Sequence, residues 1–235
     1  MKNEVICKIC QSPNPFHQLI CSNCKAILRD RVYNLDLWKT ATNLVDNPKS
    51  TFIKIIFSEQ KNFAFFILFF TSLKLYINSI FFFLTDKKNY ITDLDFTVNY
   101  FVVLFTISLL FTFCAVIIKI SNLILKNIIR LKDVFAVLSY ASIPNAFALI
   151  ILFPLELIFF GGYLFSNNPS PFIIKETTAF IFLTLELLTV LWTLFLSVIG
   201  IYTLTNNVLY SLIFGLGTFL TIYAVLYFLS VYFFN

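Results

Sequence analysis

The chain has 235 residues, 59% hydrophobic and 12% charged, with 31 phenylalanines and a net charge of +5. A soluble globular domain carries roughly twice that share of charge, so this mix excludes one and points to a polytopic membrane protein. One histidine and five glycines leave no Ser/His/Asp set, phosphate-cradling glycine loop or open metal site, and the chain reads as non-enzymatic.

Residues 1–33 form a small module with the pattern Cys7-x2-Cys10-x10-Cys21-x2-Cys24. Each Cys-x-x-Cys knuckle sets two thiolates on one tight turn, and two knuckles complete a tetrahedron with no open position. Cys7, Cys10, Cys21 and Cys24 are therefore expected to hold a structural Zn2+ that stands in for the core so short a module lacks. Two disulfides would compete, but a reducing cytosol disfavours them. His17, the sole histidine, falls between the knuckles and is expected to be a surface residue rather than a fifth ligand.

Residues 34–61 read as an amphipathic, interfacial linker. Leu37, Trp38, Ala41, Leu44 and Val45 share one helical face, and the helix ends at Asp46-Asn47-Pro48. Asn47 as N-cap and Pro48 at the first helical position open a second short helix with Phe52, Ile55 and Ile56 on one side. Lys49, Lys54 and Lys61 beside it suit a helix lying along the inner leaflet.

Residues 62–235 hold five apolar runs, about 63–84, 96–118, 136–162, 179–201 and 209–234, each near the ~20 residues a spanning helix needs. The fold class is thus an all-α polytopic membrane protein: a five-helix transmembrane bundle with an N-terminal four-cysteine zinc ribbon. No apolar run of signal-peptide length lies in the first sixty residues, so no cleavable signal is expected. Most basic residues precede the first run or lie in Lys119–Lys132, whereas Lys175 stands alone in the third connection and the fourth has none. The positive-inside rule then puts the N-terminus in the cytoplasm and, after five crossings, Asn235 on the opposite side. The charge reflects sidedness and anionic lipid rather than nucleic acid.

The first span carries Lys74 near mid-bilayer, where a stem reaching ~6 Å does not comfortably bring its ammonium to either interface. Lys119, Asn122, Lys126, Arg130 and Asp133 recur at intervals of three and four, predicting a second basic amphipathic helix on the cytoplasmic surface before the third span. That span, Val134–Gly162, contains Pro144 and Pro154, whose freed carbonyls need partners on neighbouring helices. Glu156 near its outer end and Glu186 in the fourth span fall at nearly equal depth, ~9–10 Å beneath the outer boundary. Lys74, Glu156 and Glu186 are expected to form an intramembrane polar cluster, the competing reading being separate neutral acids bonded to backbone or water. Cys114 reads as a buried apolar thiol. Gly215 and Gly217 permit close helix approach in the last span.

Asn47-Pro48-Lys49-Ser50-Thr51-Phe52 before the first span resembles the Pro-x-x-Thr-Phe entry segment of the YIP (Ypt-interacting protein) family of membrane proteins. Leu138-Ser139-Tyr140-Ala141-Ser142-Ile143-Pro144 is similar to that family's Ser-Tyr-Ala-x-x-Pro stretch, and Trp192 followed by Ser197-Val198-Ile199-Gly200-Ile201 to the end of its fourth span. The resemblance covers about residues 44–235 and implies five spans, a cytoplasmic N-terminus and a membrane-organising or trafficking-type adaptor role. Membrane lipid, a protein partner at the cytoplasmic face and an oligomer are the expected associations. The bacterial cytoplasmic membrane is the favoured location, with the ER or Golgi as the alternative. Two other functions compete. Paired Cys-x-x-Cys followed by Asp30-Arg31-Val32-Tyr33 and Asp36 resembles the Arv family, implying lipid handling or transport; intramembrane Lys and Glu fit a small transporter or proton pathway.

Overall fold

A computed structural model describes residues 4–86, 96–124, 127–166 and 168–233. The order is β1 (Glu4–Ile6), β2 (Pro13–Pro15), α1 (Leu37–Asp46), α2 (Pro48–Phe57), α3 (Ala64–Asp86), α4 (Phe96–Ile124), α5 (Leu131–Ala141), α6 (Ile143–Phe160), a 3-10 turn (Gly161–Phe165), α7 (Pro171–Ile174), α8 (Glu176–Thr205) and α9 (Val208–Phe233). Among the described residues, four helical stretches are long and apolar enough to cross a membrane: Thr97–Ile124, Leu131–Phe165, Glu176–Thr205 and Val208–Ser230. α3 is also 23 residues long, with a described apolar stretch at Ala64–Ile80. Asn235 and Lys126 lie outside the described residues. The chain divides into two compact units, one drawn from Met1–Phe65, Phe111–Ala141 and Leu196–Gly217, the other from Phe66–Leu110, Ser142–Phe195 and Thr218–Asn235.

In the first unit the ribbon is a two-stranded antiparallel sheet, with Val5 opposite Asn14, followed by the α1–α2 pair. Asp36 caps α1 by accepting from Lys39 N at 2.8 Å. Asn47 caps α2 by accepting from Ser50 N, with Pro48 at the helix start. The Thr51 hydroxyl donates to Asn43 O at 3.0 Å and Asn47 O at 2.8 Å, carbonyls that also accept from Asn47 N and Thr51 N, and so adds a side-chain bond joining the two helices.

The expected inner-leaflet helix is corrected here. Phe52, Ile55 and Ile56 are at most 1% exposed because protein covers the apolar face of α2: α2 packs on α5. Phe52 and Val137 close on Gly200 of α8 so tightly that an added Cβ would meet Val137 Cγ1 at 2.5 Å and the Phe52 ring at 3.3 Å. Trp38 and Val45 of α1 stay exposed.

Among the described residues the expected second basic amphipathic helix does not form. α4 runs on to Ile124, and residues 127–130 are not helical. Two buried asparagines provide the reason. Asn122 donates to Ile118 O at 2.8 Å and Tyr210 Oη at 2.9 Å, while Asn127 N closes on Asn122 O at 2.9 Å, so side-chain amides and a wider turn replace the helical ladder. Tyr210 Oη in turn donates to Ile118 O at 3.1 Å and lies against Ser121 Oγ, tying α9 to α4.

Asp133, assigned by periodicity to a surface face, is instead 1% exposed. It takes Lys61 Nζ at 3.0 Å and the Arg130 fork at 2.7 and 3.1 Å. Both cations also donate to α2: Lys61 to the carbonyls of Ile55 and Ile56, Arg130 to Ile56 O at 3.0 Å. The last carbonyls of α2 are thus capped by positive charge, the preferred sign at a helix C-terminus.

Within the helical stretch Leu131–Phe165, α6 follows a single turn residue, Ser142, and Pro144 sits in the first turn of α6. The Thr71 hydroxyl lies 3.3 Å from both Ser142 O and Ser142 Oγ, and Asn145 Nδ2 donates to Thr193 Oγ1 at 3.2 Å. Neighbouring helices thereby meet the polar groups this turn exposes. The third connection is not an open loop: the 3-10 turn and α7 occupy it, and Phe160, Leu164, Ala179 and Phe182 form a small apolar core beside them.

Candidate functional site

Two constellations carry chemistry. In the ribbon, the four sulfurs of Cys7, Cys10, Cys21 and Cys24 lie within 4.8 Å of one another; Cys7–Cys24 and Cys10–Cys21 are each 3.5 Å apart. A tetrahedral ion with ~2.3 Å metal–sulfur bonds places its thiolates ~3.8 Å apart, so this cage can hold a metal ion.

The two knuckles are built alike. Cys7 N donates to Ser12 O and Cys21 N to Ala26 O; Gln11 N donates to Cys7 O and Lys25 N to Cys21 O. Gln11 and Lys25, each following a second cysteine, have φ of 55° and 63°, the left-handed turn that folds each pair of thiols back on itself.

Sequence spacing identified the four cysteines but not their supports. Ser12 Oγ lies 3.0 Å from Cys10 Sγ and 3.2 Å from Cys21 Sγ. That hydroxyl, with the backbone N–H groups of Cys24 and Asn23, holds the Cys21 thiol below the usual thiol range, while the neighbouring thiols push Cys24 up. Asn14, 1% exposed, donates to Ser12 O at 2.9 Å and accepts from Ser22 N at 2.9 Å, lacing β2 to the second knuckle. The one cue in the sequence is that short polar residues sit between the cysteine pairs.

His17 is not one of the four ligands. Burial, with Arg130 nearby, holds its imidazole below the usual histidine range.

The ribbon is anchored to α2. Val32 pairs with Ser58 in a parallel bridge, Glu59 N donates to Val32 O, and Gln60 N donates to Tyr33 O. Arg31 holds Glu59 with a two-pronged bond of 2.7 and 3.1 Å. Phe57 is flanked by Phe16 at 5.0 Å and by the Arg29 guanidinium at 4.2 Å, a ring–cation contact that fixes the module by its face. Ile6, Ile9, Ile20 and Ile27 remain exposed, Ile9 at 76% and Ile27 at 80%.

The second constellation lies wholly in the second unit. Lys74 Nζ of α3, 1% exposed, donates to Glu186 Oε1 of α8 at 2.6 Å; the lysine is paired rather than snorkelling. Glu156 of α6 lines the same cavity and is 6% exposed. Its Oε2 is buried with no hydrogen-bond partner among the described residues, as is Tyr223 Oη of α9. The cavity encloses about 660 Å³, with Asn78, Phe160, Phe182, Leu183 and Phe219 also in its walls. The structure thus gathers Lys74, Glu156 and Glu186 around one space. It adds Tyr223 and Asn78, which no spacing rule singles out because their helices are apolar all round. Comparison with protein families, characterised proteins and solved structures finds no match.

Proposed function

We propose that this chain is a non-enzymatic integral membrane adaptor of the YIP type: five helices cross the bilayer, and a zinc-clamped ribbon in the cytoplasm engages a protein partner. The observation that carries the reading is the exposure of Ile9 and Ile27 on a module held in place by Val32–Ser58 and Arg31–Glu59. A ribbon serving only to cap the chain gains nothing from apolar side chains in water, whereas exposed apolar side chains on a firmly mounted module are what a protein surface binds.

Zinc is the ion that suits a closed four-thiolate cage in a reducing compartment. A fifth span is supported by α3, whose 23 residues at ~1.5 Å each exceed the ~30 Å hydrocarbon thickness. The family reading is supported by packing. Phe52 and Gly200 belong to two of the segments that resemble the YIP family, and Val137 immediately precedes the third; the three residues meet at one point.

The test is biotin-ligase proximity labelling from the N-terminus in cells of the native host, comparing the unaltered chain with Ile9→Asp/Ile27→Asp. Labelling of a defined set of cytoplasmic proteins is expected to fall in the double variant while metal content and membrane insertion stay the same. Labelling unchanged by the two aspartates, or a C-terminal tag reachable from the ribbon's side, would overturn the proposal.

A further inference from the structure

The cavity in the second unit is equipped at a level that packing alone does not require. Its walls are largely apolar and aromatic, yet three ionisable side chains face it, Lys74 1% and Glu156 6% exposed. Counting charge decides what is missing. Lys74 is committed to Glu186 at 2.6 Å, so two carboxylates share one ammonium, and Glu156 Oε2 has no partner among the described residues. A buried carboxyl group without a partner is costly to ionise and stays neutral until a donor of positive charge meets it.

Tyr223 Oη is a second buried polar atom without a partner. At about 660 Å³ the space falls within the ~300–1,000 Å³ typical of small-molecule sites, large enough for a ligand and far beyond a few waters.

We propose that this cavity binds a single-chain amphiphile with a protonated amine head and a neighbouring hydroxyl. The ammonium donates to Glu156 and holds it as a paired carboxylate, the hydroxyl pairs with Tyr223 Oη, and the hydrocarbon lies along Phe160, Phe182, Leu183 and Phe219. Three classes fit less well. A fatty acid or phosphate head would bring a second negative charge beside Glu156. A neutral alcohol would give Glu156 no charge-assisted bond. A small hydrophilic polyamine would leave the aromatic walls uncovered. This site is separate from the ribbon, so the labelling experiment above and the one below fail independently.

The test uses the full metal-bound chain in phosphatidylcholine nanodiscs, with sphinganine, dodecylamine, dodecanol and dodecanoic acid as probes, read by native mass spectrometry and thermal unfolding. Sphinganine is expected to bind one per chain and to raise the unfolding midpoint most, dodecylamine next, and the alcohol and acid not measurably. Glu156→Gln should weaken dodecylamine by about tenfold or more, the loss of a charge-assisted bond, and Tyr223→Phe should remove the advantage of sphinganine over dodecylamine. The ranking of the four probes on the unaltered chain needs no variant, so the outcome is decisive even if Glu156→Gln folds poorly. Equal binding of amine and alcohol, or a Glu156→Gln chain that folds and binds dodecylamine undiminished, would overturn the proposal.

Discussion

Lys74 and Glu186, 112 residues apart in the chain, meet at 2.6 Å with the lysine 1% exposed. Neither charge is tolerable alone at this depth, because an ammonium or carboxylate without a partner must be neutralised or hydrated in a low-dielectric interior. The pair therefore acts as a single unit holding α3 to α8.

Lys74→Met is expected to cost about 3 kcal/mol, since it strands Glu186 beside Glu156, whereas Lys74→Met/Glu186→Leu should recover most of that loss. A double-mutant cycle on unfolding in mild detergent measures the coupling. Additive effects of the two single changes would show that the contact contributes no stability.

Asp133 is the hub of the first unit, taking both Lys61 and Arg130. Asp133→Asn should therefore destabilise more than Lys61→Met: the first leaves two cations facing each other, while the second keeps the Arg130–Asp133 fork intact. Thermal unfolding of the two variants side by side checks the order.

The same cluster predicts a pH dependence. Burial, only partly offset by Asp133, lowers Lys61 from 10.5 to about 8. Between those values the unfolded chain still holds a proton that the folded chain has released, so this residue makes stability rise with pH from about 8 toward 10.5. Below 8 both states are protonated and the slope vanishes. Unfolding midpoints across this range should climb in the unaltered chain and lose that component in Lys61→Met.

Gly200 and Gly215 are expected to reject a methyl group. At Gly215 an added Cβ would meet Val198 Cγ2 at 2.6 Å and Val198 Cα at 3.0 Å, while at Gly217 it would meet nothing within 4 Å. Gly200→Ala and Gly215→Ala should each cost about 1–3 kcal/mol through forced displacement. Gly217→Ala should be neutral or mildly stabilising through its helix propensity. Expression level and unfolding midpoint in detergent separate the three.

Metal removal should melt the ribbon and spare the spans. One metal per chain is expected by elemental analysis. Chelation should expose residues 4–33 to protease while helical circular dichroism changes little, because a module this short with a closed four-thiolate cage is expected to fold around its ion whereas the helices rest on their own packing and lipid.

Local pattern was a good guide wherever the cause is local. The cysteine ligands, the Asn47-Pro48 helix start and the long apolar helices all follow from spacing, a cap or composition within a few residues. It failed where the cause is distant. Asp133 has the spacing of a surface residue, and only the approach of Lys61 and α2 buries it. Phe52, Ile55 and Ile56 form an apolar face that periodicity cannot assign to lipid or to protein. Ser12 and Asn14 carry no motif, because supporting a metal cage needs only a short polar side chain in the right place.

By itself, then, the sequence determined that helices of this length and composition belong in lipid and that four thiols in two knuckles converge, since both rest on the chemistry of short segments. Tertiary structure alone decided that α2 is covered by α5 and α8, that Asp133 is interior, and that a lysine and two glutamates from three helices share one cavity with a carboxylate oxygen to spare. Those outcomes depend on which distant side chains arrive at the same point, and no periodicity along one helix encodes that.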